Sequence, residues 1–190
     1  RGSGWNVIKV IWGRLWDPIF ARDKEGKLQE LMDAVVDGEL QNFKAKGGAY
    51  TREKFFGQDP DVLEMVDDLT DEDIYKLNRG GHDPYKVYAA YHKAVNSKGA
   101  PTVILALTTK GYGTGSREAD NTTHQVKKLT LENIKSFRDK FDIPVTDKEI
   151  EKLPYVKPPK DSPEIQYLLK TRDALGGPIP RRRRHTQKLS

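Results

Sequence analysis

The chain has 190 residues, of which 36% are hydrophobic and 32% charged, a composition typical of a globular domain with a core rather than of a disordered segment. It has no cysteine, which excludes disulfides and cysteine-ligated metal, and no apolar run long enough to span a membrane. Arg181–Arg184 supply four of the five net positive charges, so the positive net charge favours a solvated terminal arm over a nucleic-acid-binding surface.

Two segments predict strands, and the chain between them predicts helices. Residues 5–12 and 101–107 are short β-branched and aliphatic runs, typical of strands buried on both faces of a parallel sheet. Helices are predicted at 27–36, 49–56, 60–66, 70–77 and 84–96. A strand, a helical excursion and a second strand predict a crossover that joins two parallel strands.

Helix boundaries have their own signals. Thr70 with Asp73 is a capping signature, and Asp83-Pro84 opens the longest amphipathic segment. Asp37-Gly38 is expected to end the first predicted helix. The inward stripe of the longest segment is expected to consist of Val87, Tyr88, Tyr91 and Val95.

Beyond the second strand, helices are predicted at 131–141 and 164–175, with a short one after Thr146. Residues 176–180 are rich in glycine and proline and predict a connector. Two strands are too few for a parallel sheet, which is normally sheathed by helices on both faces. The predicted fold class is therefore α/β, a partial parallel sheet with helical crossovers whose other strands are not in this sequence.

The segment after the second strand is the most informative one. Lys110 stands where the strand ends, and glycines follow at positions 111, 113 and 115. Ligands of parallel sheets bind beyond the carboxyl ends of the strands, and glycines permit close approach of a ligand. The alternative is a mobile surface connection without a ligand.

Histidines supply the remaining candidates for chemistry. His124 follows Glu118 and Asn121 at three-residue spacing, so the three side chains could converge on one ligand and the imidazole could transfer a proton. The alternative is an exposed loop histidine without a role. His82 follows two glycines, and a tight turn into a capped helix is the favoured interpretation there. No histidine has metal-ligand spacing to another.

Six segments carry a family resemblance, in chain order: residues 4–13, 37–38, 78–84, 109–113, 124–128 and 150–154. Together they resemble the homodimeric bacterial type of pyruvate dehydrogenase, the thiamine-diphosphate-dependent decarboxylating component of its complex. The resemblance implies that residues 1–160 form the latter part of a transketolase-like domain that binds the cofactor diphosphate. Residues 161–190 would then be a helix and linker toward a pyrimidine-binding domain.

The resemblance also implies a function. The intact enzyme would decarboxylate pyruvate and reductively acetylate the lipoyl group on the lipoyl domain of the dihydrolipoyl acetyltransferase component. Lys110 would line the pocket for cofactor and substrate, and His124, with Glu118 and Asn121, would belong to a mobile catalytic loop. Magnesium ligands and the cofactor-activating glutamate would lie outside this segment, so the segment alone is expected to be inactive.

The same resemblance implies a homodimer in the cytoplasm, with no nucleic-acid or membrane partner. One alternative is another thiamine-dependent enzyme, either a 2-oxo acid dehydrogenase or a transketolase relative. A remote alternative is a nucleic-acid-binding module that uses Arg181–Arg184.

Overall fold

The computed structural model describes residues 2–120, 122–125 and 127–179. Asn121 and Arg181–Arg184 lie outside these ranges. The chain forms two compact units, the first ending at Asp142 and the second beginning at Ile143. The predicted division between residues 160 and 161 stays a prediction, because it concerns the cofactor domain to which each part belongs.

The sheet consists of two parallel strands, β1 (Asn6–Val10) and β2 (Thr102–Ala106). Their register pairs Val7 with Val103 and Ile8 with Ile104. This confirms the prediction of a strand, a helical crossover and a parallel second strand. Burial on both faces is not observed, because with two strands the end of β2 is exposed at Leu105.

The α-helices of the first unit are joined by loops and short 3-10 turns. They are α1 (Asp17–Arg22), α2 (Lys27–Ala34), α3 (Asp37–Lys46), α4 (Gly48–Lys54), α5 (Pro60–Glu64), α6 (Asp71–Lys76), α7 (Pro84–Asn96) and α8 (Leu131–Lys140). The second unit contains α9 (Pro163–Ala174). No helix in the described ranges is both long and apolar enough to cross a membrane.

The predicted caps are confirmed at two helices. Thr70 Oγ1 accepts the backbone N–H of Asp73 at 3.1 Å, and the Asp83 carboxylate caps α7. The stop predicted at Asp37-Gly38 is wrong in part. Helix α2 ends at Ala34, and Asp37 begins α3, where Glu39 accepts the N–H of Val36 at 3.5 Å. This first-turn acceptor makes the segment a helix start.

The hydrophobic core lies among the crossover helices. Its fully buried members include Ile19, Leu28 and Phe56, and the Trp16 ring stacks on Phe56 at 6.1 Å between centroids. Aromatic pairs of this kind add to the free energy gained from area burial. The crossover therefore forms its own apolar centre.

The predicted inward stripe of α7 is wrong for three of its four residues, and Val87 is the partly buried one. Tyr88, Tyr91 and Val95 are 66%, 60% and 76% exposed, whereas Ala90 is buried. The helix packs against β1 and β2. Two strands cover only a narrow strip of helix surface, so the small residue faces the sheet and the large apolar residues remain in solvent.

Candidate functional site

A turn at residues 78–83, hereafter the 78–83 turn, joins the carboxyl ends of both strands. The backbone N–H of Gly80 donates to the carbonyl of Ile11 at 2.7 Å, and that of Gly81 donates to Leu107 at 2.9 Å. A Cβ on Gly81 would lie 2.6 Å from the Leu107 oxygen, so only glycine fits there. The glycine pair is therefore needed for contact with the strand ends.

Asp83 fixes the end of this turn. Its Oδ2 accepts the backbone N–H of Arg14 at 2.8 Å, and its Oδ1 accepts those of Tyr85 and Lys86 at 3.0 and 3.3 Å. Burial alone would raise the pKa of Asp83, but these hydrogen bonds outweigh it and lower the pKa. One ionised carboxylate thus caps α7 and holds the chain that follows β1.

The glycine-rich loop folds back onto α8. Gly111 and Gly113 have φ values of 71° and 88°, in the region that favours glycine. A Cβ on Gly113 would lie 2.5 Å from Cε2 of Phe141. Gly113 is therefore required both by its backbone angle and by the close approach of the residue that follows α8.

Lys110 is exposed where β2 passes into this loop. Its backbone carbonyl accepts the N–H of Ala119 at 3.0 Å, which closes the loop on itself. Gln41 of α3 donates to the Ala119 carbonyl at 2.9 Å and ties the closed loop to the crossover. The backbone is therefore held at both ends of this segment while the Lys110 ammonium group faces solvent, where an anion can reach it.

Glu118 lies inside the protein, beneath the loop. Its side chain is 3% exposed, and its Oε2 accepts the Gly113 N–H at 2.8 Å and the Lys140 ammonium at 3.0 Å. The Lys44 ammonium is 3.7 Å from Oε1 and donates to the Tyr75 carbonyl at 2.7 Å. Glu118 thus joins the loop to α3 and α8 through one carboxylate.

Burial and neighbouring charges set the protonation states of Glu118 and Lys44. Burial alone would raise the pKa of Glu118, but the Gly113 hydrogen bond and the Lys140 charge outweigh it and lower the pKa. Burial lowers the pKa of Lys44, and the charge of Lys140 acts in the same direction. The Glu118 carboxylate is therefore ionised at neutral pH and compensates cations from two helices.

His124 is placed differently. It lies in a short 3-10 turn, Thr123–Gln125, with its side chain exposed. Thr123 Oγ1 donates to the Arg117 carbonyl at 2.5 Å, which anchors the turn. Glu118 faces inward whereas His124 faces solvent, so the two do not meet in this conformation. Asn121 is outside the described residues, and the joint role predicted for the three stays a prediction.

His82 is the residue that sequence reasoning undervalued. Its Nε2 accepts the backbone N–H of Thr109 at 2.6 Å, and its ring stacks on Tyr112 with centroids 3.8 Å apart and planes 6° apart. The sequence signal is the glycine pair before it, which predicts a turn into a capped helix. That turn is present, but the histidine also contacts the loop that carries Lys110.

The described residues contain no group of three histidine, aspartate or glutamate side chains arranged to hold a metal ion. The exposed cation at the carboxyl end of the sheet is suited to an anionic ligand. The arrangement can thus bind a carboxylate or phosphate beside a loop that carries an exposed imidazole.

Curated relatives identify what the chain is similar to. It is 64% identical over 189 residues to the pyruvate dehydrogenase E1 component of Pseudomonas aeruginosa. The corresponding figures are 55% over 188 residues for that of Corynebacterium glutamicum and 52% over 191 residues for that of Escherichia coli. The matches cover 100%, 96% and 100% of this chain, but only 21%, 20% and 22% of the relatives. No family model matches the chain.

Proposed function

Because the chain belongs to the family of pyruvate dehydrogenase E1 components, we propose that it forms part of the site where pyruvate is decarboxylated and its acetyl unit is passed to a lipoyl group. The proposal rests on the 64% identity to the Pseudomonas aeruginosa E1 component across the whole chain. The segment spans about a fifth of the length of these relatives. The complete reaction is therefore proposed for the full-length enzyme that contains it.

The cofactor of this reaction would be thiamine diphosphate with magnesium. When bound, it supplies a carbon nucleophile and an electron sink for decarboxylation. The structure offers a fitting partner in Lys110, an exposed cation at the carboxyl end of β2, the end of a parallel sheet at which ligands bind. Ligands for magnesium would come from parts of the enzyme outside this segment. We assign the segment to the latter part of the domain that binds the diphosphate.

Each candidate residue has a proposed task. The Lys110 ammonium binds the pyruvate carboxylate or an anionic group of the cofactor, where a fixed cation stabilises negative charge. The loop that ends at His124 covers the site and excludes water, and the His124 imidazole transfers a proton during acetylation of the lipoyl group. Glu118 and Asn121 are its partners in the loop. The observed burial of Glu118 supports a role in holding that loop.

The proposed partners follow from the same assignment. They are pyruvate, the lipoyl domain of the acetyltransferase component, and a second E1 chain in a cytoplasmic homodimer. The competing candidates are other thiamine-dependent enzymes that act on a different 2-oxo acid or on a ketose.

A substrate panel tests this proposal. The full-length enzyme, supplied with thiamine diphosphate, magnesium and a lipoyl domain, is assayed with pyruvate, 2-oxoglutarate, a branched-chain 2-oxo acid and a ketose phosphate. We expect kcat/KM for pyruvate to exceed that for each other compound by about 100-fold or more, the discrimination that unmatched buried polar contacts can supply. A preference for any other compound would contradict the proposal.

A further inference from the structure

The 78–83 turn holds three successive residues at the point where β2 becomes the glycine-rich loop. The contacts are Gly81 N–H to the Leu107 carbonyl at 2.9 Å, Arg79 Nη1 to the Thr108 carbonyl at 3.1 Å, and Thr109 N–H to His82 Nε2 at 2.6 Å. The next residue is Lys110. The position of the lysine backbone is thus set by the turn, with His82 making the contact nearest to it.

The His82 ring makes two contacts that only a neutral imidazole can combine. Because Nε2 accepts the Thr109 N–H, the ring proton lies on Nδ1. The ring face stacks on Tyr112, and Asn78 Nδ2 donates to the Tyr112 hydroxyl at 3.4 Å. Residues on both sides of Lys110 are therefore held by the same turn.

We propose that His82 is a positioning residue that fixes Thr109 and Tyr112 and thereby orients Lys110 at the carboxyl end of the sheet. The inference deepens the proposed function, on which it rests for the role of Lys110. His82 itself touches no reacting atom in this account. It acts through the Thr109 backbone before the lysine and the Tyr112 ring after it.

Burial of the His82 ring favours its neutral form and lowers its pKa from the ordinary value of 6.5. The Glu118 carboxylate opposes this effect, and the charges of Lys140 and Arg79 act in the same direction as burial. The stacked Tyr112 hydroxyl is the other ionisable group in contact. Protonation would place a donor against the Thr109 N–H and break the contact. Because the folded-state pKa of His82 is lowered, the neutral ring stabilises the turn fully above about pH 6.5. This stabilisation is lost as pH falls from there through the folded-state pKa of His82.

Two variants of the full-length enzyme separate the effect of the hydrogen-bond acceptor of His82 from the effect of its aromatic ring. His82→Gln retains an acceptor at comparable reach and loses the aromatic ring, whereas His82→Phe retains a ring for stacking and loses the acceptor. Hydrogen exchange of the Thr109 amide, followed by mass spectrometry, reports the contact without any substrate. The strand residues 6–10 serve as the internal reference for intact folding.

We expect His82→Phe to accelerate exchange at Thr109 about tenfold and His82→Gln to stay nearer to the wild type, since one hydrogen bond is lost only in the former. After correction for intrinsic rates, wild-type protection should fall as pH drops below about 6.5, and His82→Gln should lack this dependence. Unchanged exchange in His82→Phe, or the same pH dependence in His82→Gln, would overturn the proposal.

Activity measurements complete the test. With pyruvate as substrate, His82→Phe should lower kcat/KM about tenfold and His82→Gln should restore most of it. Accelerated exchange in His82→Phe with unchanged kcat/KM would also overturn the positioning role. If the wild-type enzyme itself fails to act on pyruvate, the proposed function fails, whereas the exchange experiment still decides whether His82 holds Thr109.

Discussion

Replacing Lys110 by methionine in the full-length enzyme is expected to lower kcat/KM for pyruvate about 100-fold or more, because a fixed cation that faces developing negative charge is lost. Methionine keeps much of the length of the side chain and removes only its charge. The backbone at Thr109 remains held by His82, so the fold of the loop should persist. Steady-state kinetics would separate an effect on KM from one on kcat.

Lys98 provides a matched control for this variant. It is an exposed lysine that precedes β2 and lies at the opposite end of the same strand. Lys98→Met should leave kcat/KM for pyruvate close to that of the wild type. An effect of Lys110→Met no larger than that of Lys98→Met would remove Lys110 from the site.

Replacing Glu118 by alanine is expected to destabilise the glycine-rich loop by about 3 kcal/mol, because it leaves two cations without their counter-charge. The Lys44 side chain is 12% exposed, and the Gly113 N–H would lose its acceptor. The change is measured as faster hydrogen exchange in a peptide that covers residues 111–116. Glu118→Gln keeps an acceptor for Gly113 and should have a smaller effect.

The ion pair of Glu118 and Lys44 also predicts that a second substitution restores protection of the loop from hydrogen exchange. Adding Lys44→Met to Glu118→Gln removes a buried charge together with its partner, so part of the lost protection should return. Glu72→Gln is the control, because Glu72 forms an exposed ion pair with Lys76 at 3.8 Å. Such exposed pairs contribute little to stability, and no change in loop exchange is expected. Equal effects of the Glu72 and Glu118 variants would contradict this account of the loop.

The pH dependence of the loop has a definite sign. The folded-state pKa of Glu118 is lowered from its ordinary value of 4.5, so the unfolded loop binds more protons in acid. The stabilisation from this carboxylate is present above that value and is lost as pH falls through the folded-state pKa. Protection of the wild-type loop from hydrogen exchange should therefore decrease as pH falls through this range. In Glu118→Gln, loop protection should lack this dependence on pH.

Local signals in the sequence predicted much of the fold. Thr70 and Asp83 mark helix starts through side-chain acceptors that act within three residues, so their pattern is visible in the sequence. The parallel pairing of β1 and β2 followed from the helical excursion between them. The α7 stripe failed because periodicity identifies an apolar face without showing what covers it.

The contacts of the candidate site could not be predicted in the same way. Lys44 and Glu118 are 74 residues apart in sequence, and His82 and Thr109 are 27 apart. No local pattern encodes such pairs, because only the folded crossover brings them together. The glycines of the loop are visible in the sequence, but the packing of Gly113 against Phe141 depends on where α8 lies.

The most direct test of the central claim compares two assays of His124→Ala in the full-length enzyme. We expect decarboxylation of pyruvate, followed with an artificial electron acceptor, to be retained, and acetylation of the lipoyl domain to fall about 100-fold because a proton-transfer group is lost. His92→Ala, at an exposed histidine of α7, controls for loss of an imidazole elsewhere. Selective loss of lipoyl acetylation is the predicted result, and equal loss in both assays would contradict the assignment of this loop to acetyl transfer.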